Sequence, residues 1–405
     1  MSDFVRLPSI DLRTCTVFFE RKKSFLPTQA GENDDELAAV LEAQHKLNWK
    51  DGVGTKPFWR LVVLHNTGVG QAHFTASWIF HHAMSDGTSA QVFFRAFLAA
   101  LNSFQPDATL NDGPIVDSPK TALVPPLEQL HKLPLTVLFM MKQSWDDTIG
   151  KRQSRLWTGA KIDRDPNSSS LKLRSITFSK DATAKLVQRC RENKATLTNM
   201  LETVVASAIL ANLGPQYDRV TVSGAMSLRR FLSLPDRDIE DEIGVYASSY
   251  NTMHIRPRLN SKAEFLSLDI FSWDQARTVR NVITTEIENK GKNTMVALIR
   301  WIGNQNTFWG RKIGTHRAKT IEMTNIGTWK AKPEEERGDW KVGRMTFSQD
   351  CAGCSQAFAT SIATGGDGCL TLMCEWKENA TEGVPMEKVV RDVRQCIEAL
   401  SEGKK

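Results

Sequence analysis

The stretch that decides the reading is Gln71-Ala72-His73-Phe74-Thr75-Ala76-Ser77-Trp78-Ile79-Phe80-His81-His82-Ala83-Met84-Ser85-Asp86-Gly87. Residues 71–82 alternate as a strand does, so successive side chains point to opposite faces. Ala72, Phe74, Ala76, Trp78, Phe80 and His82 form one row, and His73, Thr75, Ser77, Ile79 and His81 the other. The first row is apolar and predicts a core-facing side that ends in His82. Asp86 and Gly87 then fall in the turn before a helix at residues 88–101, where Thr88 or Ser89 can cap and Val92, Phe93, Ala96, Phe97 and Ala100 form a stripe. Gly87 allows a backbone conformation that other residues resist.

A neutral imidazole at the rim of a dry pocket can take a proton from a hydroxyl or an amine, so His82 is a candidate general base. Asp86 would orient it or hold the loop through an arginine. The competing reading is a buried histidine whose ring nitrogens are satisfied, beside an ordinary helix cap. A metal site fits poorly, because adjacent histidines on a strand face opposite sides.

Outward from this stretch, strands are expected at residues 15–20 and 58–64. A linker with Pro27, Gly31 and Asn33 precedes a helix opened by Asp34 and Asp35, with Leu37, Val40, Leu41 and Leu47 on one side. Asn66-Thr67-Gly68 reads as a turn. Residues 102–170, with Pro125-Pro126, read as a connection between two lobes, residues 1–150 and residues 151–405. The second half predicts strands at residues 171–178, 219–227, 244–255, 319–326, 340–348, 356–363 and 369–376. Its helices are expected at residues 179–191, 197–213 and 263–289, with a last one opened by Pro385. Strands and helices mix without strict alternation, which favours α/β layers with mixed sheets over a doubly wound parallel sheet.

The chain has 405 residues, 41% hydrophobic and 24% charged, and a formal net charge of +6. That balance supports a sizeable core and excludes disordered and fibrous classes. The mild positive charge gives no argument for nucleic acid and is compatible with a small anionic partner. No run of about 18 apolar residues predicts a membrane span, and no secretory signal opens the chain. The 7 cysteines suggest reduced thiols and a cytoplasmic protein. Cys351 with Cys354, and Cys369 with Cys374, read as buried thiols rather than a zinc site. Arg311, Lys312, His316 and Arg317 read as loop charge, with a phosphate contact as the alternative. Trp301, Phe308 and Trp309 suit either a pocket wall or core packing. His65, His131 and His254 have no evident partner.

His81-His82-x-x-x-Asp86-Gly87, at the end of an apolar strand and before an apolar helix, resembles the signature of the CoA-dependent acyltransferase superfamily. That superfamily includes chloramphenicol acetyltransferase, the plant BAHD acyltransferases and peptide-synthetase condensation domains. The surrounding residues are most similar to fungal alcohol acetyltransferases of secondary metabolism. The matching stretches are Pro57-Phe58-Trp59-Arg60-Leu61, Ala195-Thr196-Leu197-Thr198, Ser227-Leu228-Arg229, Ile243-Gly244-Val245-Tyr246, Thr324-Asn325-Ile326-Gly327 and Phe347-Ser348-Gln349. They occur in the family's order and span essentially the whole chain.

The resemblance implies a two-lobed chloramphenicol acetyltransferase-like fold with mixed sheets and a tunnel between the lobes. It implies transfer of an acyl group, most simply acetyl, from acyl-CoA to a hydroxyl of a small apolar alcohol. No metal, nucleic acid or membrane partner is implied, and a monomer is expected. His82 matches the family's base and Asp86 its structural aspartate, with Arg229 as the arginine that would pair with it. Thr324, Asn325 and Ser348 are the candidates for stabilising the oxyanion. In the family a strand and one or two helices precede a segment like Phe4-Val5-Arg6-Leu7-Pro8, so the chain reads as short at its N-terminus. The plant-type Asp-Phe-Gly-Trp-Gly motif is absent, and residues 343–348 occupy its place. The alternative is the same fold reused, without CoA, for condensation, isomerisation or cyclisation of a metabolite.

Overall fold

The structure is a computed structural model that describes residues 6–23, 25, 32–66, 73–104, 113–148, 153–165, 169–257, 266–332, 338–351 and 356–405. The first half contains β1 (Ser9–Asp11), β2 (Thr16–Glu20), α1 (Asp35–His45), β3 (Trp59–His65), β4 (Phe74–Phe80), α2 (Gly87–Ser103), β5 (Ile115–Asp117), α3 (Leu127–Leu130) and α4 (Val137–Thr148). β2, β3 and β4 form a three-stranded sheet, and β1 pairs with β5. Asp34 starts α1 by accepting from Leu37 N, and its carboxylate also takes Arg21 Nη1 and Nη2 at 2.9 and 2.7 Å. This one side chain therefore ends the linker and ties the helix to the end of β2.

The second half contains β6 (Leu171–Phe178), α5 (Lys180–Glu192), α6 (Leu197–Ala211), β7 (Arg219–Ser227), β8 (Ala247–Ile255), α7 (Ser267–Ile270), α8 (Trp273–Glu288), α9 (Met295–Ile299), α10 (Gln305–Gly310), β9 (Ile321–Thr328), β10 (Phe358–Thr364), β11 (Leu370–Lys377) and α11 (Met386–Ser401). Its six strands run in the order β6-β11-β10-β9-β7-β8. β9 is parallel to both β10 and β7, and the other pairs are antiparallel, which makes the sheet mixed. One face carries Ile321, Met323, Phe358, Ile362, Leu370 and Leu372 into the main core, which α5, α6 and α11 cover. Helix α6 is apolar nearly all round because it lies within that layer. Thr196 and Asn199 close its N-terminus with a capping box.

The other face meets the first half. Leu171, Leu173, Ala359 and Met373 pack against Leu37, Ala38 and Leu41 of α1 and against Val62 and Leu64 of β3. α1 thus fills the space between the two sheets at one end, where its apolar stripe is buried from both sides.

Several expectations change. β4 ends at Phe80, so His82 does not close a core-facing row; it lies in a turn and is exposed. The ladder stops when His81 N donates to Phe58 O at 2.9 Å and Met84 N then turns back onto His81 O. Residues 340–348 form no strand; they run as extended chain whose Trp340, Val342, Met345 and Phe347 pack with Leu98, Trp329 and Ala363. The apolar residues there are partly or fully buried by packing, without a ladder. The long polar helix is α8 with the short α7 before it, because Ser272 caps a new helix at Trp273. Residues 102–170 are no simple connection: β5 returns to β1, and Leu127 and Leu133 pack with Met226, Leu228 and Tyr246 of the second half. Phe4, Val5, Pro27, Gly31, Thr67, Gly68, Gln71, Ala72, Ala263 and Cys354 lie outside the described residues.

Candidate active site

The loop from His81 to Gly87 is held by an aspartate inside the protein. Asp86, 4% exposed, caps α2: its Oδ1 accepts from Ser89 N and Ser89 Oγ, both at 2.9 Å. The cap is therefore Asp86, not Thr88 or Ser89. The same Oδ1 accepts from Arg229 Nη2 at 3.1 Å, and Oδ2 accepts from Tyr246 N at 3.0 Å. Arg229 is 0% exposed, so it is not a surface charge. Its Nη1 donates to the carbonyls of Ile239 and Glu242 at 2.6 and 2.7 Å, and its guanidinium lies 4.9 Å over the Tyr246 ring. A planar fork with charge-assisted bonds on several sides suits arginine and not lysine. The pair joins α2 to a segment 143 residues later and pins the turn that carries His82.

Gly87 is needed for a reason other than the expected one. It is the first residue of α2 and is not among the residues with positive φ. A Cβ placed on it would meet Ile326 Cγ2 at 2.6 Å and Phe347 Cζ at 3.7 Å. The helix start therefore approaches β9 closely, and Gln91 Nε2 reinforces this by donating to Ile326 O at 2.5 Å.

This contact sets the loop over the sheet face that the main core does not use. Glu322 pairs in register with Ser223 of β7 and Ala359 of β10, and Ala359 with Glu375 of β11. Paired residues share a face, so Glu322, Thr324, Ile326, Ser361 and Glu375 all look toward the first half. Burial pushes the Glu322 carboxyl above its usual range, and the neighbouring His82 charge pulls it partly back. His81 turns the other way: its ring lies 5.8 Å from Phe58 and 6.3 Å from Trp49, and its Nδ1 accepts from Ala83 N. Partial burial, then the adjacent His82, lower its protonation range.

The three oxyanion candidates separate. Thr324 is half-buried on the Glu322 face, and among the described residues nothing hydrogen-bonds its hydroxyl. Asn325 lies on the opposite face; its Nδ2 donates to Thr198 Oγ1 at 3.0 Å and its Oδ1 accepts from Gly327 N at 2.8 Å. Ser348 lies on the segment that crosses the Glu322 face, between Phe347 beside Gly87 and Gln349, whose N donates to Glu375 Oε1 at 2.9 Å. His45 Nε2 lies 3.0 Å from Ser348 Oγ. Sequence reading missed His45, Glu322 and Glu375; a histidine ending an amphipathic helix and single carboxylates within strands carry no local signal. Glu375 is 0% exposed, and burial holds its carboxyl well above the usual range.

The remaining candidates fall away from this face. Arg317 is 5% exposed and its Nη1 donates to Gln356 O, so it is not loop charge. Trp301 is 66% exposed and packs in no core. His254 pairs with Glu202 at 3.1 Å, and His131 Nε2 meets Lys290 O at 2.7 Å, so both have partners. Cys351, Cys369 and Cys374 are buried free thiols. No cluster with metal-ligand composition occurs among the described residues, and none of their helices is long and apolar enough to cross a membrane.

The profile of the alcohol acetyltransferase family matches residues 31–390. A protein of Aspergillus fumigatus described as "Probable alcohol acetyltransferase crmB" is 32% identical over 405 residues, covering 98% of this chain and 84% of its own. A protein of Fusarium pseudograminearum described as "Probable alcohol acetyltransferase FCK4" is 24% identical over 382 residues, with 90% and 76% covered. Among solved structures, the TRI3 trichothecene 15-O-acetyltransferase of Fusarium sporotrichioides superposes with a TM-score of 0.62 at 14% identity, covering 96% of this chain and 76% of that one. The epimerization domain of tyrocidine synthetase B superposes with a TM-score of 0.54 at 14% identity, with 96% and 80% covered. These two likenesses are of fold: a two-lobed, chloramphenicol acetyltransferase-like arrangement with mixed sheets.

Proposed function

The chain belongs to the alcohol acetyltransferase family and is an O-acyltransferase, and from that premise we propose that it moves an acetyl group from acetyl-CoA to a hydroxyl of a small apolar alcohol, with His82 as general base. Acyl-CoA is the co-substrate class that the family implies. The observation that carries the reading is the exposed imidazole of His82, on a turn locked by the buried Asp86–Arg229 pair and set over the polar face of Glu322 and Thr324.

His82 takes the proton of the acceptor hydroxyl, whose oxygen attacks the thioester carbon. The carbonyl oxygen becomes an oxyanion and meets hydroxyl donors from Thr324 and Ser348. The intermediate collapses, expels the CoA thiolate and yields the ester. The thiolate then takes the proton from the imidazolium, so His82 ends neutral. Glu322, in its ionised form, steadies the transient imidazolium. Residues 1–150 and 151–405 act as the two lobes, with acyl-CoA and alcohol reaching His82 from opposite ends of a tunnel between them. The reading has a monomer working in the cytoplasm.

The test is turnover of acetyl-CoA with a panel of apolar alcohols, followed by thiol release and by mass detection of the ester. His82→Ala should lower kcat by about 10²–10⁴-fold, the range of a positioned proton-transfer group. Full turnover by His82→Ala would remove it from the role of base.

A further inference from the structure

The contact between His45 and Ser348 spans 303 residues and joins the last residue of α1 to the segment that crosses the polar sheet face. We propose that His45 is a positioning residue: its Nε2–H donates to Ser348 Oγ, so that the serine's own proton stays free to point at the oxyanion. This rests on the acyl-transfer reading above, and it names the group that makes Ser348 a donor.

The argument is one of proton count. A neutral imidazole carries one N–H and a serine hydroxyl one O–H, so a single contact between them has two forms. In one, the imidazole donates and the hydroxyl proton is free. In the other, the hydroxyl donates to the imidazole, and the serine is primed as a nucleophile with nothing left for an oxyanion. His45 is held neutral at working pH: burial pushes its protonation down to about 4, Asp350 opposes this, and Arg60 and Lys377 add to it.

The primed form needs an acceptor that holds the imidazole's other nitrogen as N–H. Asp350 acts on His45 by charge and pairs with Lys377 Nζ at 3.4 Å, and it makes no hydrogen bond to the ring. Among the described residues no other acceptor bonds His45 Nδ1. The Nε2–H form needs no such acceptor, because the ring's one proton is spent on Ser348 Oγ. The serine is steadied on both sides as well. Phe347 abuts the Gly87 position, Gln349 N bonds the Glu375 carboxyl, and Cys351 Sγ contacts Glu375 O at 3.2 Å. Both partners are half-buried, so neither is sealed in the packed core.

Two measurements test it. Protein labelled with ¹⁵N-histidine, with the His45 signals assigned through His45→Gln, should show the Nε2–H tautomer at pH 7. The Nδ1–H tautomer would overturn the proposal. In turnover, His45→Ala should lose kcat by about 10²-fold while KM for acetyl-CoA stays constant, the lower end of the range for a single oxyanion donor. His45→Gln, which keeps an N–H donor, should recover most of that loss. Ser348→Ala should lose as much as His45→Ala, and the double variant no more than either, because the two act as one unit. Wild-type ester formation equalled by His45→Ala overturns this proposal alone, as does an acyl group found on Ser348. No ester from the wild-type protein with any alcohol overturns the acyl-transfer reading and takes this proposal with it.

Discussion

Replacing Asp86 by alanine should cost the protein a large share of its stability. The carboxylate accepts from Ser89 N, Ser89 Oγ, Arg229 Nη2 and Tyr246 N. Its loss leaves the Arg229 charge, 0% exposed, with backbone carbonyls, one hydroxyl and the Tyr246 ring around it and no carboxylate bonded to it among the described residues. Breaking a buried pair by removing one partner costs about 3–5 kcal/mol. Against a total of about 5–15 kcal/mol, that is roughly a fifth or more. Asp11→Ala serves as the contrast. Asp11 also bonds an arginine, at 2.7 Å, but the side chains of Arg13 and Asp11 are 70% and 28% exposed. An exposed pair of that kind is screened by solvent and adds little. Equilibrium urea unfolding followed by tryptophan fluorescence reads both, compared by midpoint at equal slope. If Asp86→Ala is insoluble, Asp86→Asn keeps the shape, removes the charge and should still fall well below Asp11→Ala. Asp86 and Asp11 variants of equal stability would refute the reasoning, because burial would then have made no difference to the worth of an ion pair.

Three further outcomes follow from the same geometry. Gly87→Ala should lose about 1–3 kcal/mol by overpacking against Ile326, and adding Ile326→Ala should restore part of it, read as thermal midpoints of the single and double variants. Glu375→Gln should change the pH dependence of stability. The folded carboxyl sits above its unfolded range, so the native state binds the extra proton, and wild-type stability falls as pH rises from about 4.3 through the folded value. The variant should therefore gain on wild type as pH rises above about 4.3 and that proton is lost; a gap that closes with rising pH would contradict the assignment. Thiol titration at pH 8 should find Cys190 and Cys396 unreactive in the native protein and reactive in urea, since both are buried and pushed up to about 12.

Local order was readable wherever neighbours in sequence decide it. Asp34 and Ser179 cap their helices as their positions suggest, Pro385 stands at the start of α11, and Leu171–Phe178 forms a strand as its alternation predicts. Patterns failed where burial imitates pairing. Residues 340–348 read as a strand because Trp340, Val342, Met345 and Phe347 pack beside Trp329 and Leu98, yet among the described residues they form no ladder. His82 continues the alternation of β4 on paper, but the backbone leaves the sheet two residues earlier.

What the sequence determined by itself is the loop chemistry: a histidine, an aspartate and a glycine at set spacing between a strand and a helix. Those residues lie within one turn of each other, and capping and chain reversal act over that range. What only the tertiary structure decided is which distant groups complete the loop. Arg229 reaches Asp86 across 143 residues, and His45 reaches Ser348 across 303. Glu322 comes near His82 only because β9 pairs between β10 and β7 and turns that face toward the first half. Gly87 shows the division within one residue. Its place in the motif was plain from the sequence, but its reason, the side chain of Ile326 pressed against the start of α2, exists only once the two halves pack.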